Sequence, residues 1–365
     1  MKFLLAGNLV NHGYFLGKLL RNNGFEADLL IRKNPKLTED PKFLDKDILE
    51  YPEWIKFWDD KKFTWKFQVV KLMRKYDLIQ ASTELPIFAS VSGKSFISFT
   101  TGADVVKLAN EKSFKGFLLR LAYKKSKAVI FPAPYLYKYV KKLHIENNLF
   151  IPLLWDYEKF QPKNISKNNE KFVIFHPTNH LWYYKKNDRF LRAFTRLIKE
   201  KNKIHLIIIN RGSDFEKSLE IIKDAIQEKK VTILPETIPQ SELVNFYHNA
   251  DLIVDQFGVG STGLIGQETM ACGKPLLQFV DIGLYKKFYH EPPPILNAEN
   301  EDEIYYSIMK LLNDPKLGVE IGKKSREWLL KYHDHSKIIR KYIYLYNAIN
   351  DKENFNEIKE TIRVM

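Results

Sequence analysis

The sequence predicts an α/β protein built from two Rossmann-like, doubly wound domains that face each other across a cleft. Three observations carry this. Short apolar runs alternate with amphipathic stretches along most of the chain, the pattern of parallel strands joined by crossover helices. A polar stretch over residues 163–171 reads as a linker, and beyond it the alternation begins again. The 365 residues exceed what one core usually supports and suit two domains. The expected division is residues 1–162, residues 163–335 and a final segment 336–365.

Composition narrows the class. Apolar residues make up 45% of the chain, which excludes a disordered protein. The lone Cys272 excludes an internal disulfide framework and a cysteine-based zinc site. The opening Met-Lys-Phe-Leu-Leu-Ala is too short for a signal peptide. No apolar run approaches the ~20 residues of a membrane span. A cytoplasmic location is expected. The net charge of +14 is uneven: residues 1–170 hold 29 Lys/Arg against 18 Asp/Glu, and the remainder 29 against 26. An acidic partner for the first half, lipid or nucleic acid, accounts for this excess. A generally lysine-rich surface accounts for it equally well.

In the first domain, residues 2–6 read as a strand, residues 14–23 as a helix ended by Gly24, and residues 27–31 as the next strand. This is the βαβ opening of a doubly wound domain. His12, at the tip of the first loop, is a candidate lining for an acceptor, against the commoner solvated or turn-capping histidine. Residues 35–67 gather Tyr51, Trp54, Phe57, Trp58, Phe63, Trp65 and Phe67 and are expected as a partly helical insertion. Residues 78–81 and 95–99 are further strands, the second running into Thr101 and Asp104. Residues 107–142 hold ten Lys/Arg and one acid, Glu111. There Phe114, Phe117, Leu118 and Leu121 share one helical face, expected to pack on the sheet, with the lysines off it. The basic segment is also a candidate contact for an anionic membrane surface.

The second domain starts with a strand at 172–175 and continues through His176, His180 and Lys185 into a helix at 189–200. A point cation beside a helix N-terminus suits phosphate chemistry. His176 and His180 are four apart, but Pro177 argues against one helix presenting both, and no zinc or other metal site is expected. Strand 204–209 leads to Arg211, and strict alternation follows to residue 249. Residues 252–254 form a buried strand. Gly258, Gly260, Gly263 and Gly266 then let the backbone turn sharply, and a helix through Glu268 runs until Gly273. Strand, glycine loop and helix N-terminus make an anion site. A carboxylate one turn into that helix suits a diol. Phosphate beside diol describes a nucleotide.

This stretch, from Val254 through Glu268 to Ala271-Cys-Gly-Lys-Pro275, resembles the donor-nucleotide motif of the family-4, group 1, retaining glycosyltransferases of the GT-B fold. Asp156, Phe160 and Pro162 match the family's interdomain junction, and Lys185 with Asp188 its diphosphate-binding helix start. The resemblance implies that Glu268 binds ribose hydroxyls and that the backbone of Gly263, Leu264 and Ile265, with Lys185, Arg211 and His180, lines the diphosphate. It also implies that segment 336–365 crosses back to the first domain. Two positions depart from the pattern: Gly260 stands where the first of two glutamates is usual, and Thr101 where a histidine is. No general base is assigned, and His12, Thr101 and Lys185 are the catalytic candidates.

The resemblance implies transfer of a sugar from a nucleoside diphosphate to a glycan or lipid-linked acceptor, with retention, without metal or other cofactor, and with nucleic acid as the less favoured partner. Two alternatives remain: a nucleotide-sugar epimerase of the same fold, and a nucleotide-sugar-binding protein that has lost its reaction centre. Base, sugar, acceptor and oligomeric state are left open.

Overall fold

The computed structural model describes residues 1–44, 48–163 and 171–365. The chain packs as two units, Met1–Asp156 with His333–Met365, and Tyr157–Tyr332. Most of the expected linker, residues 164–170, lies outside the described residues. The packing divides the chain at 156 rather than 162, because Phe160 lies edge-on to Tyr247 at 5.8 Å and the Gln161 carbonyl is 2.8 Å from His248 Nε2.

The first unit contains a seven-stranded, wholly parallel sheet: β1 (Lys2–Ala6), β2 (Glu26–Arg32), β3 (Ile55–Trp58), β4 (Leu78–Ser82), β5 (Ser95–Phe99), β6 (Val129–Phe131) and β7 (Asn148–Phe150). The order is β3-β2-β1-β4-β5-β6-β7. Alternate side chains of each strand serve opposite faces. Phe3, Leu5, Leu29 and Ile31 pack under the helices His12–Asn22 and His335–Asn350. Leu4, Ala6 and Leu30 pack under Trp65–Met73 and Leu85–Val91. The C-terminal segment thus completes the first core, and a further helix at Phe355–Val364 adds Ile358 and Ile362 to it. The aromatic insertion differs from expectation by contributing the edge strand β3, preceded by Trp54 stacked on Tyr14 at 5.2 Å.

The helix Phe114–Lys125 faces the other way from expectation. It buries Gly116, Leu119, Ala122 and Tyr123, and leaves Phe114 and Phe117 exposed. Gly116 fixes this orientation, since a Cβ there would lie 2.5 Å from the Leu108 carbonyl oxygen. A small residue brings helix and turn close, so Leu119 and Tyr123 go inward while Phe114, Phe117 and Leu121 are left outside.

The second unit holds β8 (Phe172–His176), β9 (Ile204–Ile209), β10 (Val231–Leu234), β11 (Leu252–Val254), β12 (Leu276–Gln278) and β13 (Leu296–Asn297), in the order β10-β9-β8-β11-β12-β13 and all parallel. Ile174, Leu206 and Ile208 pack against Phe190 and Phe194 of the helix Asn187–Glu200. In each sheet the strand order reverses once, between β1 and β4 and between β8 and β11. Such switch points, at the carboxyl ends of parallel strands, are where ligands bind in doubly wound sheets. Among the described residues no helix is long and apolar enough to cross a membrane.

Candidate functional site

In the second unit the switch point is built from the loops after β8 and β11. His176 closes β8 with its ring fully buried. Its Nδ1 donates to the Val254 carbonyl of β11 at 2.8 Å, and its Nε2 accepts from Asn187 Nδ2 at 3.1 Å. Burial, reinforced by His180, pushes its pKa down to about 3, so it is a neutral structural tie. The His180 ring lies 5.4 Å from it, edge to face. The Ser218 hydroxyl donates to the Asp214 carbonyl at 3.0 Å and accepts from Trp182 Nε1 at 3.0 Å. His180 Nδ1, 2.8 Å from that hydroxyl, therefore carries the proton. Nε2 is left as a buried acceptor without a partner.

Lys185 ends the short helix Trp182–Lys185, and Lys186 turns left-handed before the helix Asn187–Glu200 begins. The Lys185 carbonyl accepts from the Phe257 N–H at 2.8 Å, which ties this turn to the glycine loop. At Gly258 only a hydrogen fits, because a Cβ would stand 2.1 Å from the Tyr184 carbonyl oxygen. Gln256 holds the loop from inside: its Nε2 donates to the Ser261 carbonyl at 2.5 Å and its Oε1 accepts from the Val259 N–H at 3.0 Å. The Tyr285 hydroxyl accepts from the Thr262 N–H at 2.8 Å.

Gly260 has φ +73°, and a Cβ there would lie 3.2 Å from the Phe279 ring. A glutamate at this position would need a left-handed backbone and would crowd that ring. The departure from the two-glutamate pattern is thus built into the shape of the loop.

The helix Leu264–Ala271 begins at Gly263 with no side-chain cap. Its first intrahelical bond is Gln267 N–H to the Gly263 carbonyl, 3.1 Å. The N–H groups of Leu264, Ile265 and Gly266 precede that ladder and present the positive end of the helix. Glu268 is 5% exposed, and its Oε2 accepts from the Tyr247 hydroxyl at 2.6 Å. Burial lifts its pKa to about 7, opposed by Tyr247 and Arg211 and reinforced by Asp255. Arg211 donates from Nη2 to the Pro177 carbonyl at 3.0 Å, while its buried Nε has no hydrogen-bond partner.

Lys185, Arg211, His180, Glu268 and the 263–265 backbone therefore belong to the loops and helix starts of one switch point. Tyr247 and Asp255 join them unanticipated by the sequence reading. Asp255 is fully buried just past β11, and burial weakens its acidity, opposed chiefly by the charge of Lys185. Its Oδ2 lies 4.0 Å from where a Gly263 Cβ would stand. Neither carboxylate oxygen has a partner of hydrogen-bonding geometry, nor do Gln267 Oε1 and both polar atoms of Gln278. Buried polar groups are normally bonded, so unmet valence concentrated at one switch point calls for a polar ligand. The one sequence signal for Asp255 was a carboxylate at the carboxyl end of a buried strand.

His12 and Thr101 lie in the first unit, where both line a small cleft at the β1/β4 switch point with Gly7, Gln80 and Ser82. His12 is buried rather than solvated. It opens the helix His12–Asn22, stacks on Phe99 at 4.2 Å and donates from Nδ1 to the Leu154 carbonyl at 3.0 Å. Burial lowers its pKa to about 4. The Thr101 N–H donates to Asp104, whose own pKa burial raises to about 6.

The family described as "Glycosyl transferases group 1" matches residues 156–328. Poly(ribitol-phosphate) alpha-N-acetylglucosaminyltransferase of Staphylococcus aureus is 25% identical over 168 residues, 45% of this chain and 33% of that protein. N-acetyl-alpha-D-glucosaminyl L-malate synthase of Bacillus anthracis is 25% identical over 167 residues, 45% of this chain and 42% of that protein. The matched region thus spans less than half the length of either curated relative. HepE of Anabaena, solved in complex with UDP and glucose, superposes with a TM-score of 0.75 at 12% identity, covering 95% of this chain and 100% of that one. Residues 156–328 are thus similar to the group 1 glycosyl transferases, on a chain that shares its fold, GT-B, with HepE.

Proposed function

We propose that this chain transfers a sugar from a UDP-linked donor to a glycan or lipid-linked acceptor, with retention of configuration and without a divalent metal. The observation that carries the reading is the cluster of unmet polar groups around Glu268 beside the uncapped start of helix Leu264–Ala271. Ribose hydroxyls donating to the Glu268 carboxylate fill one end of this site. The diphosphate fills the other, against the N–H groups of residues 264–266 and the Lys185 ammonium. These cations and dipoles stabilise the charge that grows on the leaving diphosphate, the work a metal does elsewhere. Uracil as the base is supported by the UDP complex of the similar structure, and N-acetylglucosamine as the sugar by the names of both curated relatives.

The test is release of UDP from UDP-N-acetylglucosamine and from UDP-glucose, with and without a polyol-phosphate or lipid-linked acceptor, before and after EDTA. Acceptor-dependent release that survives EDTA supports the reading. Conversion of the donor to an epimer and free sugar without acceptor indicates an isomerase instead. Activity lost to EDTA and restored by Mg²⁺ overturns the metal-free part.

A further inference from the structure

The first unit carries an apolar and basic surface that the donor site does not use. Along the helix Phe114–Lys125, the residues Phe114, Phe117, Leu121, Lys124 and Lys125 follow one another around one side of the helix and form a single outward stripe. Phe114 is 76% exposed, Phe117 48% and Leu121 38%. The helix is held in this attitude from beneath: Gly116 abuts the Leu108 carbonyl, Arg120 donates to the Ala109 carbonyl at 2.8 Å, and Lys115 pairs with Glu84. The stripe is therefore a fixed feature of a rigid helix. The helix Leu85–Val91 lies between this one and Trp65–Met73. Their exposed apolar residues, Val91 at 59% and Phe67 at 77%, belong to the same helical layer.

We propose that this layer docks on a bilayer containing anionic lipid, with Phe114, Phe117 and Leu121 entering the acyl boundary and Lys124, Lys125 and Lys127 meeting the headgroups. The argument for lipid is the joint placement of large apolar side chains and lysines on one helix face. A soluble polyphosphate is recognised by the cations alone, and Leu121 offers no aromatic face to a nucleic-acid base, whereas a bilayer takes cations and apolar side chains together, with lysine stems lying along the boundary. Charge supports the same occupant: residues 107–142 hold ten Lys/Arg and one acid. The inference stands apart from the donor reading, since all of these residues belong to the first unit and the donor site is built from the second.

Flotation with vesicles of equal parts phosphatidylcholine and phosphatidylglycerol, against phosphatidylcholine alone, tests it. Binding is expected only to the anionic vesicles and weakens with salt. Phe114→Ser with Phe117→Ser lowers the partition coefficient at least about tenfold. Lys124→Gln with Lys125→Gln lowers it roughly 30-fold at low salt. All four positions are exposed, and unchanged thermal melting and UDP binding of the variants confirm that they fold. Equal binding to both vesicle types, or none to either, overturns the proposal. So does a concentration-dependent dimer in sedimentation that the serine changes abolish, which assigns the face to a second copy. Binding to soluble polyphosphate or RNA as tight as to vesicles, and indifferent to the serine changes, assigns it to a polyanion and also overturns it.

Discussion

Replacing Glu268 by glutamine separates two demands that the fold and the ligand make on one carboxyl. Its pKa stands at about 7 against an ordinary 4.5, chiefly through burial. At about 1.36 kcal/mol per pKa unit, ionising it in place costs the folded protein roughly 3 kcal/mol. The sign follows from proton binding. Between the unfolded and folded values the native state holds more protons, so stability is fully present below 4.5 and is lost as pH rises through about 7. A glutamine side chain there cannot ionise, yet keeps an oxygen to accept from the Tyr247 hydroxyl. Urea melts of wild type and Glu268→Gln between about pH 4.5 and about pH 8.5 should therefore diverge, with the variant gaining roughly 3 kcal/mol on wild type across the range. Taking the difference removes the other titrating groups. UDP binding should move the opposite way, weakened about ten- to a hundredfold by loss of the charged acceptor. Parallel stability curves, or a gap that closes as pH rises, would refute the claim that Glu268 is a buried acid held for a ligand.

The loop geometry gives further tests. Asp255→Asn should stabilise the apo protein at neutral pH by a margin that shrinks in acid, because burial raises the folded-state pKa and ionisation then costs stability as pH rises through it; pH-dependent melting checks this. Gly260→Ala should lower stability by roughly 1–2 kcal/mol through its left-handed φ, with a matching loss of UDP-induced stabilisation as the loop distorts, read by thermal melting with and without UDP. Gly116→Ala should cost roughly 1–3 kcal/mol in a denaturant titration, since its Cβ meets a backbone carbonyl that has no room to move.

How much of this was legible in the sequence follows from what each feature depends on. Both sheets were legible because buried parallel strands are apolar on both faces, as in Ile204–Ile209, whatever they pack against. The sharp turn of the glycine loop was legible because Gly258 and Gly260 answer a backbone requirement local to the chain. Edge strand β3 was not, since Trp54, Phe57 and Trp58 read equally well as core filler within a helical insertion. The orientation of the helix Phe114–Lys125 does not follow from apolar size, because closeness of approach at Gly116 and Ala122 decides which side goes inward. Tyr247 escaped notice because its bond to Glu268 joins two helices brought together only by the sheet. Asp255 had a visible position but no visible burial. The C-terminal return was expected from resemblance alone, and Ile338, Tyr342 and Tyr346 are what tie it to the first core.

The central claim is that Glu268 and Lys185 serve opposite ends of one nucleoside diphosphate, and calorimetric titration tests it most directly. Wild type, Glu268→Gln and Lys185→Ala are each titrated with uridine and with UDP. Glu268→Gln should weaken both ligands, because both carry the ribose diol. Lys185→Ala should weaken UDP about ten- to a hundredfold and leave uridine nearly unchanged, because only UDP carries phosphate. If Glu268→Gln binds UDP as wild type does, or if Lys185→Ala weakens uridine and UDP equally, the nucleotide does not lie where the switch point of the second unit places it.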